Sequence, residues 1–356
     1  MRLKKLNSEE LIGLLEILFA EYNLIAPFKV EQGRLNRVLY RKIRRETEIP
    51  AIYLKELPET TPKNFILPRD ERLDFNDGED NDSSDETRTR LFFGVRSCDL
   101  AAIELFDDVF LDEDYLDPFY EARRKSNIFI GYSNQILPPN NFQKELGIDY
   151  FDHQLAPAFL YEDIEARGRD HYYLKIKAGF EFPKVVENYL KELKTGEIEQ
   201  LEALLSDWEA KFAQESEFEI KHKLPFPEKV AFNQVDWQEP TASCLGCGVC
   251  TYYCPTCFCF DFFWDGSTKN RAWDSCMFSL FTEHASGHNP REEQHQRWRQ
   301  RLLHKFSYHP QNYGGKPGCV GCGRCIYKCP VNLDIRKVIK AVDNSLIEGG
   351  QASEER

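Results

Sequence analysis

The stretch CLGCGVCTYYCPTCFCF, Cys244–Phe260, places six cysteines between positions 244 and 259. A buried cysteine packs as a small hydrophobe, and core packing gives no reason for so dense a run. The run opens with C-x2-C-x2-C-x3-C-P, and the same pattern returns in CVGCGRCIYKCP. Cys244, Cys247, Cys250 and Cys254 are thus echoed by Cys319, Cys322, Cys325 and Cys329.

A cubane iron-sulfur cluster needs four thiolates converging on its corners. Two-residue gaps let three come from one tight loop, so the fourth must arrive from elsewhere. In the bacterial two-cluster arrangement the last cysteine of each run serves the other cluster, and the proline behind it turns the chain away. The spacing therefore predicts one [4Fe-4S] cluster on Cys244, Cys247, Cys250 and Cys329, and a second on Cys319, Cys322, Cys325 and Cys254. Gly246, Gly248, Gly321 and Gly323 sit inside these loops, where unusual backbone angles are expected. Structural zinc also uses C-x2-C pairs, but it has no use for three evenly spaced cysteines plus C-P, twice over. Cys250, Cys254 and Cys257 read C-x3-C-x2-C, the spacing of radical-SAM enzymes, yet that frame ignores Cys244, Cys247 and the whole second string.

Sixty-four residues separate Cys254 from Cys319, far more than a minimal two-cluster ferredoxin needs. This insert, 257–318, adds Cys257 and Cys259 in PTCFCFDFFWDG and Cys276 in RAWDSCMFSLF. The three thiols are candidates for a third iron-sulfur cluster or metal, completed by Cys98, by a histidine such as His284 or His288, or by a partner subunit. Inert thiols buried among aromatics are the alternative. The aromatics from Tyr252 to Trp264 are expected to exclude water and so tune cluster potential. REEQHQRWRQRLLHKF, from Arg291, reads as a basic helix: either a solvated face, or one turned to a docking partner or an anionic cofactor.

Upstream, the chain changes character. Asn7 and Glu10 have capping-box spacing before LIGLLEILFAEY, whose Leu11, Leu14, Leu15, Leu18 and Phe19 recur at helical intervals. RLFFGV and NIFIGY, ending at Val95 and Tyr132, are β-prone runs flanking a helical DLAAIELFDDVF. HYYLKIKAGF, from His171, is another strand candidate before a helical stretch from Pro183 to Gln214, broken near Thr195 and Gly196. Asp74 to Arg88 is acidic and nearly free of apolar residues, which predicts a mobile loop. Eleven of the twelve cysteines follow the proline-bearing KLPFPEKV, so the domain boundary is expected around residues 224–240. The fold class expected is α+β: an N-terminal α/β-type scaffold and docking domain, 1–230, then a mostly helical bacterial-ferredoxin-like dicluster domain, 240–345.

At 356 residues the chain exceeds one typical domain. Its N-terminal residues lack the pattern of a secretory signal, which takes disulfides out of their usual compartment, and no apolar run approaches eighteen residues. A soluble cytoplasmic protein is expected. The formal charge of -13 argues against a sequence-independent grip on nucleic acid and suits a basic protein surface. No G-x-G-x-x-G opens a helix after a strand, so any flavin or NAD(P) belongs to a partner.

The chain resembles the family of iron-sulfur subunits shared by sulfhydrogenase, where it is the beta subunit, and anaerobic sulfite reductase. The likeness rests on CPTCFC, WDSC, GHNPR with its arginine-rich helix and HKF, and GCVGCGRCIYKCP with LDI behind it. FILPRDERL, GVRSCDLAAIELFDDVFL and DPFYEARRKSNIFIGY extend it through the N-terminal half. The resemblance implies an electron-transfer subunit between a flavin/NAD(P)-binding reductase subunit and a catalytic subunit, hydrogenase- or sulfite-reductase-like. Many family members carry a cysteine and then a Cys-Phe-Cys loop after the second strand. Here no cysteine lies between Ser133 and Phe151, so Cys98 lacks the neighbours for an N-terminal metal site. A catalytic oxidoreductase using a third, non-standard cysteine-ligated site is the alternative function, and a structural or oxidant-sensing role a third.

Overall fold

The computed structural model describes residues 2–32, 35–73, 88–164, 171–215 and 218–354. Among the described residues the strands are β1 Arg2–Asn7, β2 Asn23–Gln32, β3 Leu35–Lys42, β4 Asp70–Arg72, β5 Arg90–Val95, β6 Asn127–Asn134, β7 Ala158–Asp163, β8 His171–Ile176, β9 Phe260–Asp265 and β10 Thr268–Trp273. The chain divides into two compact units. The first holds Met1–Leu67, Phe75–Pro138 and Ile148–Glu217; the second holds Pro68–Asp74, Pro139–Gly147 and Phe218–Arg356.

A seven-stranded sheet in the order β1-β8-β7-β6-β5-β2-β3 organises the first unit. Its middle is parallel, β2 to β5 to β6 to β7, and its flanks are antiparallel. Parallel neighbours need a crossover, which the helices Ser97–Phe110 and Pro118–Lys125 supply between β5 and β6. A strand covered on both faces reads as a continuous apolar run rather than an alternating one. That is why RLFFGV looks as it does: Leu91, Phe92, Phe93 and Val95 are all buried. The opening helix, Ser8–Glu21, starts as its sequence dictates, with the Glu10 amide donating to Asn7 Oδ1 at 2.9 Å and the Asn7 amide to Glu10 Oε2 at 3.0 Å. Leu11, Leu14, Leu15 and Leu18 face the core. The helical stretch from Pro183 becomes Lys184–Tyr189 and Thr195–Glu215. Residues 74–87 of the predicted mobile loop lie outside the described residues.

Three features of the second unit differ from the expectation. It begins at Phe218 rather than near 240, and it takes in residues 68–74 and 139–147 from within the stretch assigned to the N-terminal domain. It remains mostly helical but carries an antiparallel sheet that the expectation lacked, formed by β4, β10 and β9. Asp265 pairs with Thr268 across Gly266 and Ser267, a two-residue hairpin with Gly266 at φ +60°. Finally, the aromatics of β9 do not seal the thiols from water, since Phe262, Phe263 and Trp264 are exposed, Trp264 by 68%. The first two share a physical cause: a short strand and a loop gain their partners from nearly two hundred residues away, which local pattern cannot reveal.

Candidate metal centre

The two cysteine strings fold into the same shape. Gly248 (φ +73°, ψ -7°) and Gly323 (φ +77°, ψ -9°) each open a single helical turn, Val249–Tyr252 and Arg324–Tyr327. This left-handed conformation is one that a side chain would strain. The two turns pack on each other, so the strings are brought together as a pair.

Cys244, Cys247 and Cys250 line one cavity, and Cys325 and Cys329 of the later string stand on the same wall with Pro330, Val331 and Leu333. Cys254, from the end of the earlier string, is buried and close enough to feel the charge of Cys319, Cys322 and Cys325. Each string's final cysteine therefore lies beside the other string's three. Sulfur acceptors are already met by donors here: the Gly246 amide and Gln294 Nε2 each reach Cys244 Sγ at 3.4 Å, and the Leu333 amide reaches Cys329 Sγ at 3.2 Å.

The basic helix resolves in favour of an inward-facing charge. Arg301, on Gln294–Leu303, is 2% exposed and lines the cavity of Cys244, Cys247, Cys250 and Cys329 as well as that of Cys257, Cys259 and Cys276. Its Nε and Nη2, and Trp298 Nε1 beside it, are buried without a hydrogen-bond partner. Buried donors of this kind are costly unless something accepts from them. Inorganic sulfides and thiolates of iron-sulfur clusters would do so, and their negative charge would balance the guanidinium. Lys305 is 5% exposed, with its ammonium donating to Thr256 Oγ1 at 2.7 Å, to the Gly318 carbonyl at 2.8 Å and to Cys254 Sγ at 3.6 Å. Burial works against both cations, yet neighbouring thiols hold each above its ordinary pKa: Cys250 and Cys325 for Arg301, Cys254 and Cys257 for Lys305.

The thiols themselves are poised for metal. Burial pushes Cys319 up to about 11 and Cys322 and Cys325 up to about 12, a penalty that bonding to iron removes. Cys254 is pulled well down by the thiol of Cys257, and Cys259 down to about 7 by the thiol of Cys276. Among the described residues, no three His, Cys, Asp or Glu side chains are arranged to hold a single metal ion. Thiols set around a cavity rather than on one point fit a polynuclear cluster.

The remaining sequence candidates separate. Cys257, Cys259 and Cys276 do meet, sharing a cavity with His304, Lys305 and His309. The WDSC motif explains how: the Asp274 amide donates to the Cys259 carbonyl at 2.8 Å, Tyr252 Oη to the Trp273 carbonyl at 3.0 Å, and Ser275 Oγ accepts from Thr251 Oγ1 at 2.8 Å. His284 and His288, offered as ligands from sequence, are exposed and face each other instead, with ring centroids 5.5 Å apart. Cys98 is buried in the helix Ser97–Phe110 of the first unit. Sequence reasoning missed His304, Lys305, Thr256 and Gln294, although the HKF at the end of the basic helix was a visible sign.

Residues 243–333 match the 4Fe-4S dicluster domain family. The chain is also similar to Sulfhydrogenase 2 subunit beta of Pyrococcus furiosus, 31% identical over 298 residues that span 80% of this chain and 83% of the relative. Among the described residues no helix is long and apolar enough to cross a membrane. With a dicluster domain at its C-terminal end and this likeness along most of its length, the chain belongs to the sulfhydrogenase beta subunit family and is an iron-sulfur electron-transfer subunit.

Proposed function

We propose that the chain relays single electrons within a cytoplasmic oxidoreductase complex, through two [4Fe-4S] clusters on a bacterial-ferredoxin-like arrangement of loops. Cys244, Cys247, Cys250 and Cys329 hold the first cluster; Cys319, Cys322, Cys325 and Cys254 hold the second. The observation that carries this reading is the position of Cys329 on the cavity wall of Cys244, Cys247 and Cys250. Such clusters supply one-electron chemistry with little change of geometry. The protein's own part is to fix the thiolates, to place Arg301 and Lys305 against their charge, and to donate from Gly246, Gln294 and Leu333 to sulfur. Cys257, Cys259 and Cys276 form a third site beside these two.

The family resemblance, the relative's being a sulfhydrogenase subunit and this chain's lack of a dinucleotide fingerprint support the partners proposed. A flavin/NAD(P)-binding reductase subunit exchanges electrons on one side, and a hydrogenase- or sulfite-reductase-like catalytic subunit on the other. Exposed Leu245, next to Cys244, and exposed Leu280 offer apolar contact close to the first cluster. Iron and acid-labile sulfide counted on anaerobic protein, beside redox-titrated EPR, test the reading. At least about eight irons per chain and two interacting cubane signals are expected; a colourless, zinc-loaded protein would sink it.

A further inference from the structure

The third site has an imidazole where a fourth thiol is missing. His304 opens a π-helical turn, His304–Tyr308, at the end of the basic helix, and such turns often mark functional positions. Its ring lines the same cavity as Cys257, Cys259 and Cys276, and packs edge-on against Phe258, 5.8 Å between centroids. Phe258 is the residue between Cys257 and Cys259, so the imidazole packs beside the C-x-C pair. The other imidazole on that wall, His309, has its Nδ1 3.0 Å from the Lys316 carbonyl and its ring against that of Tyr313, 4.7 Å between centroids. Among the described residues no three donors are arranged there for a single ion.

The geometry points to a third iron-sulfur cluster, ligated by Cys257, Cys259 and Cys276 and completed by His304. This rests on the two-cluster reading, because the trio is left over only once the other eight thiols are assigned. A neutral imidazole in place of a thiolate leaves the cluster one negative charge lighter, and Arg301 and Lys305 face the same cavity. Both features favour the reduced form; the cations are shared with the other two sites, but the histidine ligand belongs to this one alone, and histidine ligation is known to raise cluster potential. The third cluster should therefore take up an electron before the two all-cysteine ones.

Pulsed EPR on full-length, anaerobically reconstituted protein, half-reduced so that the highest-potential cluster alone is paramagnetic, gives the test. We expect about twelve irons per chain and a strong nitrogen coupling that changes when histidine alone is labelled with 15N. His304→Cys should keep the iron count, abolish that coupling and shift the third signal to lower potential. His304→Ala should drop the count to about eight, with the two remaining signals unmoved. Twelve irons without a histidine nitrogen coupling, a coupling that survives in His304→Cys, or about eight irons in the wild type would each overturn the assignment while leaving the dicluster standing. About four irons or fewer would fault the two-cluster reading itself, and this inference with it.

Discussion

The two cysteine loops share a spacing, a backbone conformation and a helical turn, yet their surroundings are opposites. In the earlier loop Leu245 is 68% exposed, Cys247 is exposed, and the nearest neighbours of the glycines are side-chain ends, Gln294 Oε1 and the ring of Phe278. In the later loop Cys319 and Cys322 are buried and the glycines lie against backbone, that of Phe142 and Gln143 for Gly321 and of Pro139 and Asn140 for Gly323. The motif fixes which atoms bind; the rest of the chain fixes how much water and charge each cluster meets. Those are the levers that set reduction potential. On the proposed function, this contrast makes the earlier loop the point of exchange with a partner and the later one the interior relay.

Crossed ligation gives the comparison its largest test. Cys254→Ala, though it lies in the earlier string, should remove the cluster of the later one, cutting iron by about four per chain and erasing the later loop's EPR signal. Loss of the earlier loop's signal instead would break the pairing. Next in size is the contrast in cover. A Cβ on Gly321 would stand 2.5 Å from the Gln143 nitrogen, at a φ of +60°, whereas one on Gly246 would meet the mobile end of Gln294 at 2.7 Å. Gly321→Ala should therefore cost about 3 kcal/mol or more in anaerobic denaturant unfolding, and Gly246→Ala about 1–2 kcal/mol. Equal costs would mean that segment 139–147 yields as easily as a side chain.

Much of the candidate site was legible because the spacing on which the proposed ligation rests is local. The eight cysteines and the loop glycines are written into two short strings, and no other chemistry uses that rhythm twice. The opening helix was legible for the same reason, since Asn7 and Glu10 satisfy each other three residues apart. What stayed hidden lies at long range. Nothing in PPNNFQKEL announces that the Phe142 amide will donate to the Gly321 carbonyl at 2.8 Å. Nor does DER announce a strand beside β10, although the Asp-Gly-Ser turn of the hairpin β9–β10 was a readable sign. His304 and Lys305 escaped because a cation after an arginine-rich helix looks solvated until the helix is seen to turn its charges inward.

Charge sharpens the comparison further. Lys305 touches Cys254 and so, on the proposed ligation, acts on the later cluster, whereas the cation on the cavity wall of the earlier loop is Arg301. A positive charge favours the reduced, more negative state. Lys305→Met keeps the length of the side chain but removes that charge, so the later cluster's potential should fall while the earlier one's barely moves. At an effective dielectric of about 20 and a separation of about 7 Å, the charge is worth roughly 2.4 kcal/mol, or about 100 mV. An unchanged potential in a redox titration would mean that solvent, not Lys305, compensates the later cluster.

The smallest effect belongs to the exposed loop. Gln294 Nε2 donates to Cys244 Sγ from the helix Gln294–Leu303, and the same side chain accepts from Arg297 through its Oε1 at 2.7 Å, which orients the amide towards sulfur. A hydrogen bond to thiolate is stronger when the cluster carries more negative charge, so it favours the reduced state. Gln294→Leu should lower the earlier cluster's potential by about 20–40 mV, the equivalent of one partly exposed hydrogen bond of about 0.5–1 kcal/mol. Water can replace part of this donor at an open loop, whereas nothing replaces Lys305 in its buried site. The ratio of the two shifts is thus a direct measure of how far the loops differ in access to solvent: near-equal shifts would place both clusters in the same environment and remove the distinction between surface exchange and interior relay.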